Sequence, residues 1–340
     1  MNVDLTPDQR DLADGARDFL ADFGSGAVLR ARFDAGVEGT DLDDRRSVAQ
    51  RWKALAAMGF LGLVVPEKYG GLGLGELELA LILEQAGRTV LPEPLLETAV
   101  AALTLAESAE DAVREAWLPA IADGSAVATI ALPGQQLVAD AESADVFVMA
   151  GDDGMVRLRR RDEVHIEAQR NADYGRRLAT VAPTAPGLVV SHAAERMVQR
   201  AAVASAAVLV GVGAHLLDAT VEYTRMRVQF GRPIGSYQAV KHRLADVHQL
   251  LHNARPTVWV AAQVLNESGE EAPLLARCAK AFASQTSAAA DDAALQFHGG
   301  IGFAWENDLQ FWLKRSVGMQ SAYGSAAWCR AGIADALFAN

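Results

Sequence analysis

Apolar side chains recur at helical spacing through the first part of the chain, and polar residues mark the start of the first helix. Residues Thr6 to Gln9 read Thr-Pro-Asp-Gln, a capping box with proline at the first helical position. Glycine-rich and proline-rich stretches then separate further helical patterns, which lie over residues 47–59, 76–87 and 95–120. The pattern therefore predicts an α-helical amino-terminal domain over residues 1–122.

From Ser125 onward the pattern changes to short β-type runs separated by glycine, aspartate and proline. The runs read VATIAL, DVFVMA, MVRLR and TVAP. They predict a small β-domain over residues 123–190.

Helical periodicity returns near residue 191 and continues to the end of the chain. Four long stretches with short connections predict a four-helix bundle, and they lie near residues 194–229, 236–267, 272–297 and 305–338. Pro256 falls inside the second stretch, where we expect it to kink or break the helix. The fold class predicted is mainly α, with an amino-terminal α-domain, a small central β-domain and a carboxy-terminal bundle over residues 191–340.

Charge and composition narrow the classes of partner. The 340 residues carry a formal net charge of −12, which disfavours nucleic acid or an anionic membrane as a partner. The basic run RLRRR, residues 157–161, is interpreted as a solvated strand and turn.

Cys278 and Cys329 show neither C-x-x-C spacing nor a neighbouring histidine. No thiol enzyme or disulfide framework is indicated, and the cysteine usage predicts a reducing, cytoplasmic location.

Two further patterns have alternative interpretations. The charge-free run Ala201 to Leu217 has 17 residues, fewer than the ~20 that span a bilayer, so we interpret it as the buried centre of the bundle. His248 and His252 stand four residues apart on one helix, a spacing that suits either a metal pair or a solvated face. Without a third ligand in view, the solvated face is favoured and no metal site is predicted.

The richest candidate chemistry lies in YTRMRVQFGRPIGSYQ, residues 223–238. Arg225 and Arg227 precede the predicted end of an apolar helix. Gly231 and Gly235 permit a tight reversal there, and a following proline prevents the helix from continuing. Arginines on a turn beside the start of another helix suit the phosphates of a nucleotide-like cofactor, because a guanidinium can bind a pair of oxygens.

Three stretches of the chain resemble the motifs of one enzyme family. The first is similar to the R-x-x-F-G-x-P-I motif of acyl-CoA dehydrogenases and comprises Tyr223, Arg227, Phe230, Gly231, Pro233, Ile234 and Gln238. The second resembles the family's Q-x-x-G-G-x-G-F motif and comprises Gln296, Gly299, Gly300, Gly302 and Phe303. The third, residues 55–88, resembles the family's amino-terminal L-G-L-x-G-L-x-x-P-E-x-Y-G-G motif. The chain is identified on these motifs as a member of the family.

The resemblance implies FAD-dependent dehydrogenation of an acyl-CoA substrate, in which a carboxylate removes the α-proton and the flavin accepts the β-hydride. It also implies that the two later motifs bind FAD across a subunit interface. Arg227 would bind the pyrophosphate, with Phe230 in the same motif. Gln296, Gly299 and Gly300 would pack against the adenosine end.

The chain departs from the family where the catalytic base and the flavin ring are expected. The usual glutamate position falls on Tyr323, and the position used by one branch of the family falls on Ala201. Glu195 is the nearest carboxylate to the latter and a weak candidate base. The family's T-E-P-x-x-G-S-D segment is replaced by the stretch from Ile130 to Gly134, and the flavin-contacting W-I-T strand is missing from the shortened β-domain.

These departures predict a subunit without the base, which joins a full-length acyl-CoA dehydrogenase subunit in a heterotetramer, as the short subunits of sterol side-chain breakdown do. Two alternatives stay open. The chain could be a self-sufficient homo-oligomer whose base is an atypical carboxylate such as Glu195. It could also be a non-catalytic scaffold that has kept the fold without flavin.

Overall fold

The computed structural model describes residues 4–21, 23, 26–38, 45–108 and 110–338. These residues form eleven α-helices: α1 Pro7–Ala21, α2 Gly26–Glu38, α3 Arg45–Ala57, α4 Glu76–Arg88, α5 Leu95–Ala106, α6 Asp111–Ala122, α7 Ala194–Met226, α8 Gln238–Asn266, α9 Ala272–His298, α10 Leu309–Ser321 and α11 Ala326–Phe338. They also form nine strands: β1 Ala128–Ala131, β2 Val138–Ala139, β3 Val146–Ala150, β4 Val156–Arg160, β5 Val164–Gln169, β6 Leu178–Pro183, β7 Leu188–Ser191, β8 Val228–Gln229 and β9 Arg232–Pro233. The predicted fold class, mainly α with a small β-domain, is confirmed.

The chain forms two compact units, each assembled from separate stretches. The first comprises Met1–Arg30, Ala80–Leu91 and Ser205–Asn340, and the second comprises Ala31–Leu79 and Pro92–Ala204. The domain boundaries at residues 122 and 190 stay a prediction.

Helix α1 begins as its sequence predicts. The backbone N–H of Thr6 donates to Oε1 of Gln9 at 3.0 Å, and the N–H of Gln9 donates to Oγ1 of Thr6 at 3.2 Å. This reciprocal pair is the capping box, and it satisfies two N–H groups that the helix itself leaves unpaired.

Two predicted helices are each interrupted. The stretch 95–120 forms two helices, because α5 ends at Ala106. The next residue, Glu107, pairs with arginines through its side chain. The stretch 305–338 is also two helices. Tyr323 at φ +56° and Gly324 at φ +102° separate them, because left-handed backbone cannot continue a right-handed helix.

Other elements were absent from the sequence prediction altogether. Helix α2 has glycine at its first position and no clear apolar stripe, while β2 has only two residues. Strands β5 and β7 expose several of their residues, so neither shows a strong apolar run.

Helix α8, by contrast, continues through Pro256, so the predicted break does not occur there. His248 and His252 are both exposed on that helix, which agrees with the solvated-face interpretation.

The second unit contains a two-sheet β-structure. One sheet has the order β1-β3-β4-β7, with β1 and β3 parallel, and the other has the order β2-β6-β5. Buried apolar residues around Phe147 fill the core of this structure. The basic run lies on β4 and the start of the 3-10 turn after it, as predicted, and Arg157 pairs with Asp153 at 2.6 Å. The predicted solvation is wrong for Arg159, which is buried and donates to the carbonyls of Ala185 and Pro186.

A buried ion cluster joins helices of the second unit. Arg200 is almost fully buried, and its Nε donates to Glu76 at 3.0 Å. Its two terminal nitrogens bind Glu107 in a bidentate pair at 2.8 and 2.6 Å, and Arg196 contacts the same carboxylate. A buried charge of this kind depends on its partners, because removing one leaves the other desolvated and unpaired.

Glycines bring α4 and α7 into backbone contact in the first unit. A Cβ atom built on Gly87 would overlap the carbonyl oxygen of Val208, and one built on Gly211 would overlap that of Glu84. Helix α7 is long and apolar enough to span a bilayer by length and composition alone. However, 89% of its most apolar window is buried inside the protein, as expected for a core helix.

Helix α10 binds the carboxy-terminal end of α4. The indole Nε1 of Trp312 donates to the Arg88 carbonyl at 2.8 Å, and Nη1 of Arg315 donates to the Leu91 carbonyl at 3.0 Å. These donors satisfy carbonyls that the end of a helix leaves unpaired. His215 stacks on Trp312 with 3.7 Å between ring centroids, and burial, followed by the charge of Arg88, lowers the pKa of His215 to about 4.

A buried polar layer connects α9 to α10. Ser316 donates to Asp291 at 2.7 Å, and Gln320 donates to the same carboxylate oxygen at 3.0 Å. One turn away along α9, Ser287 bonds to Ser316. Burial raises the pKa of Asp291 from its ordinary value of 3.8 to about 7, even though both hydrogen bonds act to lower it.

This shift predicts that stability falls as the pH rises. The unfolded chain releases the Asp291 proton near pH 3.8 while the folded chain holds it to about pH 7, so the free energy of unfolding should decline between those values. Asp291→Asn should remove that decline, with a difference on the order of 1.4 kcal/mol for each pKa unit. Chemical denaturation across pH 4 to 8 measures the slope. Asp292→Asn, an exposed neighbour, is the matched control, and an unchanged slope in Asp291→Asn would contradict the assignment.

Candidate functional site

A short β-hairpin follows the end of α7 and carries the first motif. Strands β8 and β9 pair antiparallel, with Gln229 opposite Arg232. Phe230 at φ +53° and Gly231 at φ +80° form the two-residue turn between them. Positive φ at both turn positions is the geometry that suits the twist of a tight hairpin. The reversal predicted at Gly231 is therefore present.

Phe230 is an unusual residue for this turn. Asparagine, aspartate or glycine is preferred at positive φ, whereas a bulky side chain is strained there. The ring is also 93% exposed, so no packing within the chain compensates for the strain. Strain held at an exposed aromatic residue points to a binding surface.

Local contacts fix the hairpin on the helices beside it. The N–H of Ile234 donates to the Arg227 carbonyl at 2.8 Å, and the Arg232 guanidinium lies 4.0 Å from the ring centroid of Tyr237. Gly235 serves close packing, because a Cβ there would come within 3.0 Å of the Thr224 carbonyl oxygen.

Two guanidinium groups beside the hairpin are available to a ligand. The side chains of Arg225 and Arg227 are both exposed, and within the described part of the chain neither has a hydrogen-bonding or ion-pair partner. Arg232, in contrast, is occupied by its stacking on Tyr237. The arrangement can therefore offer bidentate donors to a phosphate.

The second motif forms the carboxy-terminal end of α9 and the 3-10 turn that follows, over residues 299–303. Gln296 is exposed on the last turns of the helix. A Cβ built on Gly299 or Gly300 would meet no atom within 4 Å, so the space beside this backbone is open. Gly302 is buried, and a Cβ there would lie 3.1 Å from Cβ of His298. The first two glycines leave room for a ligand against the backbone, whereas the third serves internal packing.

An aromatic stack joins the two motifs. Tyr223, at the end of α7, lies on His298, at the end of α9, with 4.3 Å between ring centroids and 20° between planes. Nδ1–H of His298 donates to the Ala294 carbonyl at 2.9 Å, and burial lowers the pKa of His298. Sequence reasoning missed this contact, although each motif carries one of the two rings.

Large apolar side chains are exposed in and beside the two motifs, and we term this set the signature surface. Their exposed fractions range from 41% to 93%, and the set comprises Met226, Val228, Phe230, Ile301, Phe303 and Trp305. Arg30 contacts this surface at Trp305. Its guanidinium donates to the Trp305 carbonyl and lies 5.8 Å from the centroid of the Trp305 ring. Apolar surface of this extent around polar groups is typical of a site that another molecule covers.

The candidate base positions lie outside these motifs. Tyr323 is 4% exposed, in the left-handed turn between α10 and α11. Ala201 is fully buried within α7. Glu195 is exposed in the first turn of α7, at the opposite end of that helix from the hairpin. The Tyr223–His298 stack joins the two segments that carry the predicted cofactor-binding residues. Arg227, Phe230, Gln296 and Gly300 are exposed and Gly299 is half-buried, and their binding roles stay a prediction.

Comparison with known proteins places this geometry in a family. Residues 6–125 match the acyl-CoA dehydrogenase N-terminal domain, and residues 191–338 match the acyl-CoA dehydrogenase C-terminal domain. Acyl-CoA dehydrogenase IpdE2 of Mycolicibacterium smegmatis is 35% identical over 275 residues, which cover 80% of this chain and 83% of that protein. The IpdE2 protein of Mycobacterium tuberculosis is 32% identical over 309 residues, which cover 89% and 91%.

Solved structures agree with the sequence matches. A variant of the Tcur3481-Tcur3483 steroid ACAD superposes with a TM-score of 0.88 at 27% identity, over 97% of both chains. The ChsE4-ChsE5 complex from Mycobacterium tuberculosis superposes with a TM-score of 0.87 at 24% identity, over 99% of both chains, and shows the shared fold. The chain therefore belongs to the acyl-CoA dehydrogenase family, which comprises FAD-dependent oxidoreductases.

Proposed function

We propose that this chain is the subunit of a heteromeric acyl-CoA dehydrogenase that does not carry the catalytic base. One observation carries the proposal: the Tyr223–His298 stack joins the two segments predicted to bind FAD and leaves Arg227, Phe230 and Gln296 exposed, while Tyr323 is buried at the position where the resemblance places the base. The substrate is a CoA thioester, and the complete site forms with a full-length subunit of the same family.

The motif residues fit FAD. Arg227 has no partner within the described part of the chain and would bind the pyrophosphate. The open backbone at Gly299 and Gly300, with the Gln296 amide beside it, would take the adenosine end. Bound FAD would supply the hydride acceptor for oxidation of the acyl chain.

The signature surface supports sharing of that site between two chains. Phe230, in the motif of Arg227, is 93% exposed and Phe303, in the motif of the glycines, is 76% exposed, so an isolated chain would leave both rings largely in water. A second polypeptide that covers these rings would exclude water from the arginine as well, and thereby strengthen its attraction for phosphate.

The absence of a suitable base supports a catalytic carboxylate on the partner. A tyrosine phenol ordinarily has a pKa of about 10 and is a poor proton acceptor at neutral pH. Glu195 lies in the first turn of α7, where an acidic side chain is ordinarily found because it interacts favourably with the helix dipole. Stretch Ile130–Gly134 offers no G-S-D sequence, and it ends in a turn at Gly134, φ +69°.

The relatives suggest a substrate class. The solved structure that is 27% identical is described as a steroid ACAD and carries a two-part name, Tcur3481-Tcur3483. We propose on this ground that the acyl group belongs to a sterol side chain, with a fatty acyl chain as the alternative. A self-sufficient homomeric enzyme that uses Glu195 is the competing assignment, and a flavin-free scaffold is the third.

The first prediction concerns flavin content. The chain purified alone should carry little FAD, whereas co-expression with a full-length family member should yield a yellow complex, because each chain supplies part of the site. The measurement is the ratio of flavin to protein absorbance. A stoichiometric flavin spectrum from the lone chain would show that no partner is needed.

The second prediction concerns Arg227. Arg227→Ala should weaken FAD retention by the complex by roughly 1.5 to 3 kcal/mol, the usual range for a hydrogen bond to a charged group. Arg225→Ala is the matched control, since it removes an equally exposed guanidinium that the family motif does not specify. Equal flavin content in the Arg227 variant and the parent would count against the assignment.

The third prediction concerns the base. Tyr323→Phe and Glu195→Gln should each leave kcat of the complex largely intact with one CoA thioester, whereas replacing the partner's own base should abolish turnover. Removal of a general base ordinarily lowers the rate by about a hundredfold or more. A loss of that size in either variant would revive the homomeric assignment.

A further inference from the structure

We propose that a cleft between α1, α4 and α8 in the first unit is a binding site for a small, flat organic anion. The cleft has a volume of about 420 Å³ and is lined by arginines from all three helices together with Gln85 and Trp259. Its volume lies within the range of about 300 to 1,000 Å³ that is usual for small-molecule sites. We term it the arginine cleft.

The charges of the arginine cleft favour an anion. Arg10, Arg17, Arg88 and Arg255 line it against two carboxylates, although the whole chain carries a net charge of −12. Both carboxylates are already paired, since Glu84 binds Arg255 at 2.8 Å and Asp14 binds Arg17. The lining therefore has more positive than negative charge, and electrostatic focusing in a cleft raises the local concentration of anions.

Arg10 is the side chain placed to bind the anion directly. Its guanidinium is exposed on α1, and no acceptor within the described ranges pairs with it. Arg88, across the cleft, is paired with Asp218 at 2.6 Å, so among the described residues Arg10 is the lining guanidinium that no carboxylate neutralises. Arg10 thus offers a free fork of N–H groups to a carboxylate, sulfonate or phosphate.

Gln85 gives independent support for a ligand. Its side chain lines the cleft and is only 7% exposed, yet its Oε1 has no hydrogen-bond partner among the described residues. Buried amides are nearly always hydrogen-bonded, because an unsatisfied one loses its hydration without replacement. Oε1 accepts hydrogen bonds, so a ligand that carries an N–H or O–H donor beside its anionic group would satisfy it after a small turn of the side chain.

Apolar groups indicate the shape of the ligand's body. Leu81 is buried beside Gln85, while Leu5 and Trp259 are half-buried in the lining. An indole face binds flat rings well, and the combination of a ring platform with arginines suits an aromatic or fused-ring anion.

The arginine cleft is separate from the two family motifs. Arg255 follows Gln238, the first residue of α8, by 17 positions, so it lies about 25 Å along the helix from the hairpin. Binding there requires neither FAD nor a base, and its test does not depend on the proposed subunit role.

The test uses two probes that differ by one charged group. We expect 1-anilinonaphthalene-8-sulfonate to show a saturable fluorescence component with the full chain, alone and in the complex. Arg10→Ala should weaken that component by about fivefold or more, as for loss of a hydrogen bond to a charged ligand. Gln85→Leu should weaken the binding of both probes, because each carries the N–H that Oε1 would accept. The neutral analogue N-phenyl-1-naphthylamine should bind equally to the parent and Arg10→Ala.

Arg330→Ala is the matched control, because it removes one exposed positive charge on α11 and should leave the sulfonate probe's affinity unchanged. Arg10 is at the surface without a partner, so its variant should fold normally, and thermal unfolding checks this for both variants. The proposal is overturned if the sulfonate probe shows no component sensitive to Arg10→Ala. It is also overturned if the neutral probe loses as much affinity as the charged one.

Discussion

The backbone contact between α4 and α7 is the constraint on which the first unit depends. Gly87 and Gly211 each face a carbonyl oxygen of the other helix, so any side chain at either position would force the helices apart. The contact fixes the end of α4, where the carbonyls of Arg88 and of Leu91, three residues beyond the helix, receive hydrogen bonds from α10. Close packing stabilises the contact between α4 and α7. If a side chain separated the two rigid helices, they could not regain the lost packing elsewhere.

Polar groups divide into two kinds in this protein. Most of the buried ones described above are paired, as in the Arg200 cluster of the second unit and the Asp291 layer of the first. Oδ1 of Asp291 and Oε1 of Gln85 are exceptions among the described residues. At the two family motifs, Arg227 and Gln296 are exposed, and neither side chain has a partner among the described residues. Unpaired donors on a strained turn are poor contributors to stability, and their presence here is consistent with a surface that functions by binding.

Much of the fold follows from local sequence signals, because capping residues and glycines act on their immediate neighbours. The capping box at Thr6 and the turn at Gly231 were predicted for this reason. The break between helices at Tyr323 was not predicted, because tyrosine rarely adopts left-handed backbone. The adjacent Gly324 was the local sequence signal for it. The stack of Tyr223 on His298 joins residues far apart in the chain, and periodicity carries no information about such contacts.

The signature surface also affects what a stability measurement on this chain means. A molecule that covers Phe230 and Phe303 binds the folded chain and not the unfolded one, so it shifts the folding equilibrium by mass action. The melting temperature then rises with the concentration of whatever covers the surface, even if that is a second copy of the chain. For a chain covered in this way, thermal stability would be a property of the complex and its concentration, and a single value for the isolated chain would not describe it.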